Sequence, residues 1–221
     1  MIKCVVFDFD GVLVDTNRVK REAYLDIFTL SGNAGEIVST IVDSKRDSGR
    51  YFIIGAIIRR LAEDGRIAVG DRFDALVHEY ALCYNNICEE YASTCNEIPG
   101  ASSALTKLSS KFHLYVNSST LEEPLQRIIS RRGWADYFHG ILGGPRTKKQ
   151  NLEWIIEREK VSGPEIIVVG DGRADLEAAK GLGCHFIGVR NEFNDFNPGG
   201  LILIVNLQDL DELIQEKVGR G

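Results

Sequence analysis

Two hydrophobic periods alternate along most of this chain. Short, largely apolar runs at 4–7, 112–116, 137–142, 166–169, 186–189 and 201–205 read as strands, and the unbroken run Cys4 to Phe7 as one buried on both faces. Between them the period lengthens to three and four. Residues 101–109, the face Leu121, Leu125, Ile128 and Ile129, and residues 152–159, 174–182 and 210–218 read as helices. Arg131-Arg132-Gly133 ends the second of these with cations and a glycine, which suit a helix C-terminus. Strand and helix in turn predict an open, mostly parallel sheet wrapped by helices on both faces, with its site outside the carboxyl ends of the strands.

One block breaks that alternation. Residues 17–96 carry helical signals only: Val19, Ala23, Ile27 and Leu30, closing near Gly32; a short stretch at 37–42; Tyr51, Ile54, Ile58 and Leu61, stopping at Gly65; and a long stripe of Phe73, Leu76, Val77, Tyr80, Tyr84, Ile87, Cys88 and Tyr91. A stripe of that spacing predicts the core of a helix bundle rather than a cofactor surface. The fold class is therefore α/β: a Rossmann-like parallel-sheet core of residues 1–16 and 97–221 with an all-helical domain, residues 17–96, inserted into it.

Composition narrows the partners. Against 32 acidic residues stand 26 basic ones, a formal charge of -6, and the basic residues are scattered apart from pairs such as Arg131-Arg132 and Lys148-Lys149. This balance disfavours nucleic acid and anionic membrane surfaces. No apolar run approaches the roughly 20 residues that span a bilayer, and Met1-Ile2-Lys3 leads into a strand rather than a signal peptide. Five cysteines, none in a C-x-x-C pair, suit free thiols without a metal. The expected location is the cytoplasm, and the expected state a monomer or homodimer.

The chemistry gathers at strand ends. The first strand stops in Asp8-Phe9-Asp10-Gly11, where alternation lets the two carboxylates project together and repel unless one is protonated or a cation joins them. Mg²⁺, a hard ion that prefers oxygen, suits such a pair, and Gly11 allows a sharp turn beside a bound group. After the second strand, the Ser118 hydroxyl and the amides of Ser119 and Thr120 can meet an anion at a helix start. Thr120-Leu121-Glu122-Glu123 equally fits a capping box. Lys148, in the loop after the third strand, offers a positive charge. Gly170-Asp171-Gly172-Arg173-Ala174-Asp175 closes the set; its acids straddle a strand-to-helix turn and also suit a helix cap and its dipole.

These four segments, in this order, closely resemble the motifs of the haloacid dehalogenase superfamily of phosphohydrolases: D-x-D-G, a strand ending in Ser or Thr, a Lys, and G-D-x-x-x-D. The resemblance covers the whole chain and makes the helical insertion a cap domain that closes over the site. It implies that Asp8 attacks phosphorus to form an aspartyl-phosphate and that Asp10 serves as acid and then base. Ser118 and Lys148 hold phosphoryl oxygens, with Ser119 and Lys149 as alternatives to them, and Gly11 and Ser119 line the substrate. Mg²⁺ falls to Asp8, Asp10 (through its carbonyl), Asp171 and Asp175, the last orienting the ion's water shell or Lys148. The implied partner is a small phosphorylated metabolite. A sugar phosphomutase of the same superfamily and a catalytically silent binding module are the rival readings. Specificity is expected from the polar stretch at residues 43–50, where Arg46 and Arg50 can make bidentate contact with an oxyanion of the substrate.

Overall fold

In the computed structural model, residues 1–28, 34–45, 48–194, 196 and 199–219 are described, the side chains of 217–219 excepted. The chain divides into two compact units, one of Met1–Asp15 with Ala92–Gly221 and one of Thr16–Tyr91. The second unit ends a few residues before position 96, inside a continuous helix.

The first unit is built on six parallel strands: β1 (Cys4–Phe7), β2 (His113–Leu121), β3 (Phe138–Gly144), β4 (Ile166–Gly170), β5 (His185–Val189) and β6 (Ile202–Ile204). Their order across the sheet is β3-β2-β1-β4-β5-β6. All of β1 is buried, which explains its unbroken apolar run. One face of the sheet packs Val5, Phe7, Leu114, Val116, Ile167 and Val169 against α5 (Ala101–Ser109), α6 (Glu122–Arg131) and α9 (Leu210–Gly219). Cys4, Val6, Tyr115 and Val168 face the other way, onto α7 (Lys148–Glu159) and α8 (Arg173–Gly181). Because side chains alternate along a strand, Asp8 and Asn117 fall on this second face. Register completes the alignment: Phe7 pairs with both Val116 and Val169, so Asp8, Asn117 and Gly170 lie at one level across three adjacent strands.

Three boundaries depart from the sequence reading, each for a local reason. Residues 117–120, expected as a loop, continue β2 to Leu121, with an irregular register against β3. The capping box expected at Thr120 does not form: Leu121 is the N-cap of α6, no side chain caps it, and the Thr120 hydroxyl turns instead to Asp10. Lys148, expected in a loop, is the first residue of α7. There Thr147 accepts a hydrogen bond from the Gln150 amide at 3.2 Å, and the Gln150 side chain accepts one from Thr147 N at 2.9 Å. This reciprocal cap fixes where the helix starts.

The second unit contains α1 (Asn17–Ile27), α2 (Gly35–Ser44), α3 (Arg50–Glu63) and most of α4 (Phe73–Thr94). Leu30 and Gly32 lie outside the described residues. Its core joins Ala23, Tyr24, Phe28, Val38, Ile54, Ile58, Leu61 and Tyr84, with Phe73, Leu76, Val77, Tyr80, Ile87 and Cys88 packed on it. The aromatic stripe of α4 is therefore core: Tyr84 meets Tyr24 at 4.3 Å between ring centroids and Tyr80 stacks on Phe28 at 4.4 Å. Tyr91, at the stripe's end, is exposed. Among the described residues no helix is long and apolar enough to cross a membrane. All five cysteines are free.

Candidate active site

The aligned strand ends concentrate acid groups with little water around them. Asp8 is buried and its Oδ1 accepts the Phe9 amide at 2.7 Å, which sets the carboxylate plane. The chain then folds into a tight loop in which Leu13 N bonds Phe9 O and Gly11 N bonds Val14 O. Gly11 has φ 73°, a left-handed conformation that a side chain would strain. The loop brings Asp10 round to β2. There its Oδ2 accepts from Ser118 Oγ at 3.4 Å and Thr120 Oγ1 at 3.2 Å, while Ser118 Oγ itself accepts from Thr120 N.

Lys148 enters from α7. Its ammonium lies 2.6 Å from Asp8 Oδ2 and 2.7 Å from Asp175 Oδ1, and all three side chains are at most 8% exposed. Lys149, by contrast, points to water and meets Glu153 at 3.8 Å. Ser118 is buried beside Asp10, whereas Ser119 is exposed. The structure thus brings Asp8, Asp10, Ser118 and Lys148 together and leaves Ser119 and Lys149 at the surface.

The fourth strand supplies the remaining acids. Asp175, in the first turn of α8, folds back over the end of β4, and its Oδ2 accepts the Gly172 amide at 3.2 Å. Gly170 must be glycine for this: a Cβ there would fall 2.4 Å from that of Asp175. Asp171 does not cap the helix as the sequence suggested, since Gly172 is the N-cap. Its Oδ2 accepts from Asn191 Nδ2 at 2.7 Å, and its carbonyl accepts from Asn194 Nδ2 at 3.1 Å.

Asp8, Asp171 and Asp175 each place an oxygen within 4.8 Å of the others, a donor set able to hold a divalent cation. Asp10, expected to meet the ion through its backbone carbonyl, turns its side chain to Ser118 and Thr120. Burial alone would lower the Lys148 ammonium, but Asp175 and Asp8 outweigh it and raise it above its ordinary value. Asp175 is pushed up to about 8, first by burial and then by the charge of Asp8, with Lys148 opposing. Both shifts have one origin, since Asp8 and Asp175 share a single ammonium with the Asp171 carboxylate close by, and the excess negative charge suits a cation.

Of the two arginines expected at substrate, Arg46 lies outside the described residues. Arg50 begins α3, donates to the Asn85 side chain of α4 and lies 5.9 Å from the Tyr84 ring centroid, so it has partners within the helical unit. Sequence reasoning missed four asparagines. Asn117 and Asn151 lie buried behind Ser118 and Lys148, and Asn191 and Asn194 hold Asp171. An asparagine directly after apolar strand residues, as in Tyr115-Val116-Asn117, is the one available signal for the first pair.

The model of the haloacid dehalogenase-like hydrolases matches residues 5–189, a span that includes every motif above. The chain belongs to that family. It is 25% identical over 209 residues to the phosphoglycolate phosphatase of Vibrio vulnificus, covering 89% of this chain and 87% of the relative. To the phosphoglycolate phosphatase of Neisseria gonorrhoeae it is 24% identical, covering 88% and 82%. Among solved structures, CbbY from Rhodobacter sphaeroides in complex with phosphate superposes with a TM-score of 0.72 at 16% identity, over 95% of this chain and 96% of that one. A haloacid dehalogenase-like family hydrolase from Streptococcus pneumoniae gives 0.69 at 17%, over 96% and 98%. These structures share the fold. Family and curated relatives together make the chain an enzyme, a phosphatase of small phosphate esters.

Proposed function

We propose that this phosphatase uses Asp8 as nucleophile and Asp10 as its acid and base, on a small phosphorylated carboxylic acid of the phosphoglycolate class. The observation that carries the assignment is the division of labour between two neighbouring carboxylates. Asp8 faces an ammonium at 2.6 Å, while Asp10 accepts from the hydroxyls of Ser118 and Thr120. Lys148 offsets the Asp8 charge, which eases the approach of an anionic phosphoryl group. Asp8 attacks phosphorus, the P–O bond to the substrate alcohol breaks, and Asp10 gives its proton to the departing oxygen. Asp10 then takes a proton from the water that attacks the aspartyl-phosphate, releasing inorganic phosphate and restoring Asp8. Ser118 holds a phosphoryl oxygen throughout, and the family's dependence on positioned charge is met by Ser118 and Lys148.

The carboxylates of Asp8 and Asp171, with Asp175 behind them, would hold Mg²⁺, a hard cation suited to an all-oxygen donor set. When bound, it neutralises charge on the phosphate and on the nucleophile. The helical unit is read as the cap that selects the leaving group, with the segment 43–50 a source of that selection. The five free thiols accord with a cytoplasmic location.

The test is a panel of phosphate monoesters (glycolate, sugar, nucleotide and amino-acid phosphates) with wild-type protein and Asp8→Asn in Mg²⁺. Release of phosphate, fastest from a short acid phosphate and absent in Asp8→Asn, is the expected result. Turnover retained in a clean preparation of that variant would remove Asp8 from the nucleophile role.

A further inference from the structure

Directly beneath the site lies a second polar assembly that the chemistry above does not use. Asn117 and Asn151 are 2% and 0% exposed, in the apolar layer between β2 and α7. Asn117 Nδ2 donates to the backbone carbonyl of Lys148 at 2.9 Å. Asn151 Nδ2 donates to Asn117 Oδ1 at 3.0 Å and to the carbonyl of Gly143 on β3 at 3.4 Å. Flipping either amide would set oxygen against oxygen, so these contacts dictate both orientations.

The arrangement leaves Asn151 Oδ1 as the one buried side-chain polar atom without a partner among the described residues. An unsatisfied buried acceptor costs about 1–3 kcal/mol, and an apolar pair of similar shape would avoid that penalty. Stability alone therefore gives little reason for two asparagines here. What the pair supplies is direction. Asn117 immediately precedes Ser118, and the carbonyl it grips belongs to Lys148, so one carboxamide fixes the spacing between the residues that meet Asp10 and Asp8.

We propose that Asn117 and Asn151 are positioning residues that hold the first turn of α7 in register with the end of β2 and so keep the Lys148 ammonium on Asp8. The inference rests on the role given to Lys148 above. Neither asparagine contacts the reacting groups; both act through the backbone of Lys148. A shift of about 1 Å at such a contact is enough to cost on the order of a hundredfold in rate.

A kinetic double-mutant cycle tests this. Asn117→Ala, Lys148→Ala and the double variant are compared with wild type for kcat at saturating Mg²⁺ and substrate, with melting curves to establish folding. Asn117→Ala is expected to lose about tenfold or more in kcat alone, and less than about twofold when Lys148 is already alanine, because the group it positions is gone. Equal losses in both backgrounds would overturn the positioning role while leaving Lys148 in place. A Lys148→Ala variant as active as wild type would overturn the role of Lys148 and this inference with it. If Asn117→Ala does not fold, Asn151→Ala, which cuts the same pair from the helix side, goes through the same cycle with the same readings.

Discussion

The Lys148 ammonium stands 2.6 Å from the Asp8 carboxylate, and both side chains are 8% exposed. Asp175 shares the same ammonium from the other side at 2.7 Å. Removing the cation would leave two buried carboxylates without compensation, a change that in other proteins costs about 3–5 kcal/mol. Lys148→Met should therefore melt well below wild type, in addition to losing roughly a hundredfold or more in rate. Adding Asp175→Asn to Lys148→Met should recover part of the stability and none of the activity. Differential scanning calorimetry beside a phosphate-release assay separates the two effects. A Lys148→Met protein that melts like wild type would mean that the ammonium is not needed to keep these acids buried.

Asp10 accepts from two hydroxyls, those of Ser118 and Thr120, and hydroxyl partners suit a group that must pass a proton. General acid help is worth about 10²–10⁴ in rate and matters most when the departing oxygen is a poor leaving group. Asp10→Asn should thus lose far more on alkyl than on aryl phosphates in the first, phosphorylating step. Single-turnover kinetics with one ester of each kind would show it, and equal losses on both would count against Asp10 as the acid.

Why the sequence was so legible at some positions and silent at others has a physical basis. Cys4 to Phe7 and Ile166 to Gly170 announced buried strands because parallel strands covered on both faces need continuous apolar runs, and their carboxylates followed at once. Lys148 falls on a helix rather than in a loop because Thr147 and Gln150, on either side of Lys148-Lys149, form the helix cap. Thr120 departs from its local pattern in the opposite sense. Its spacing to Glu123 suits a cap, yet β2 runs on past it, and its hydroxyl finds Asp10, a partner far away in sequence. The asparagines were invisible for the same reason. Asn117 and Asn151 matter only because register and helix packing bring them together, and no local pattern encodes that meeting.

Asn191 offers the last test, because it touches the acid cluster without belonging to it. Its side-chain amide donates to Asp171 Oδ2 at 2.7 Å, its Oδ1 accepts from Phe193 N at 2.9 Å, and Asn194 ties the same loop to the carbonyls of Asp171 and Val189. Holding one oxygen fixes the plane of the carboxylate and so the direction in which Asp171 presents itself to a cation. Residues that orient metal ligands in this way typically change metal affinity by about 10–100-fold when removed. Magnesium that binds the folded state alone raises the melting temperature in proportion to ln(1 + [Mg²⁺]/Kd), so affinity can be read without turnover. Asp171→Asn should abolish most of that rise. Asn191→Ala should keep the rise but need about tenfold more Mg²⁺ to reach it, and should melt close to wild type without metal. An unchanged Mg²⁺ midpoint in Asn191→Ala would show that Asp171 needs no help from the β5 loop, and no stabilisation of wild type by Mg²⁺ at all would remove the ion from the three-carboxylate cluster.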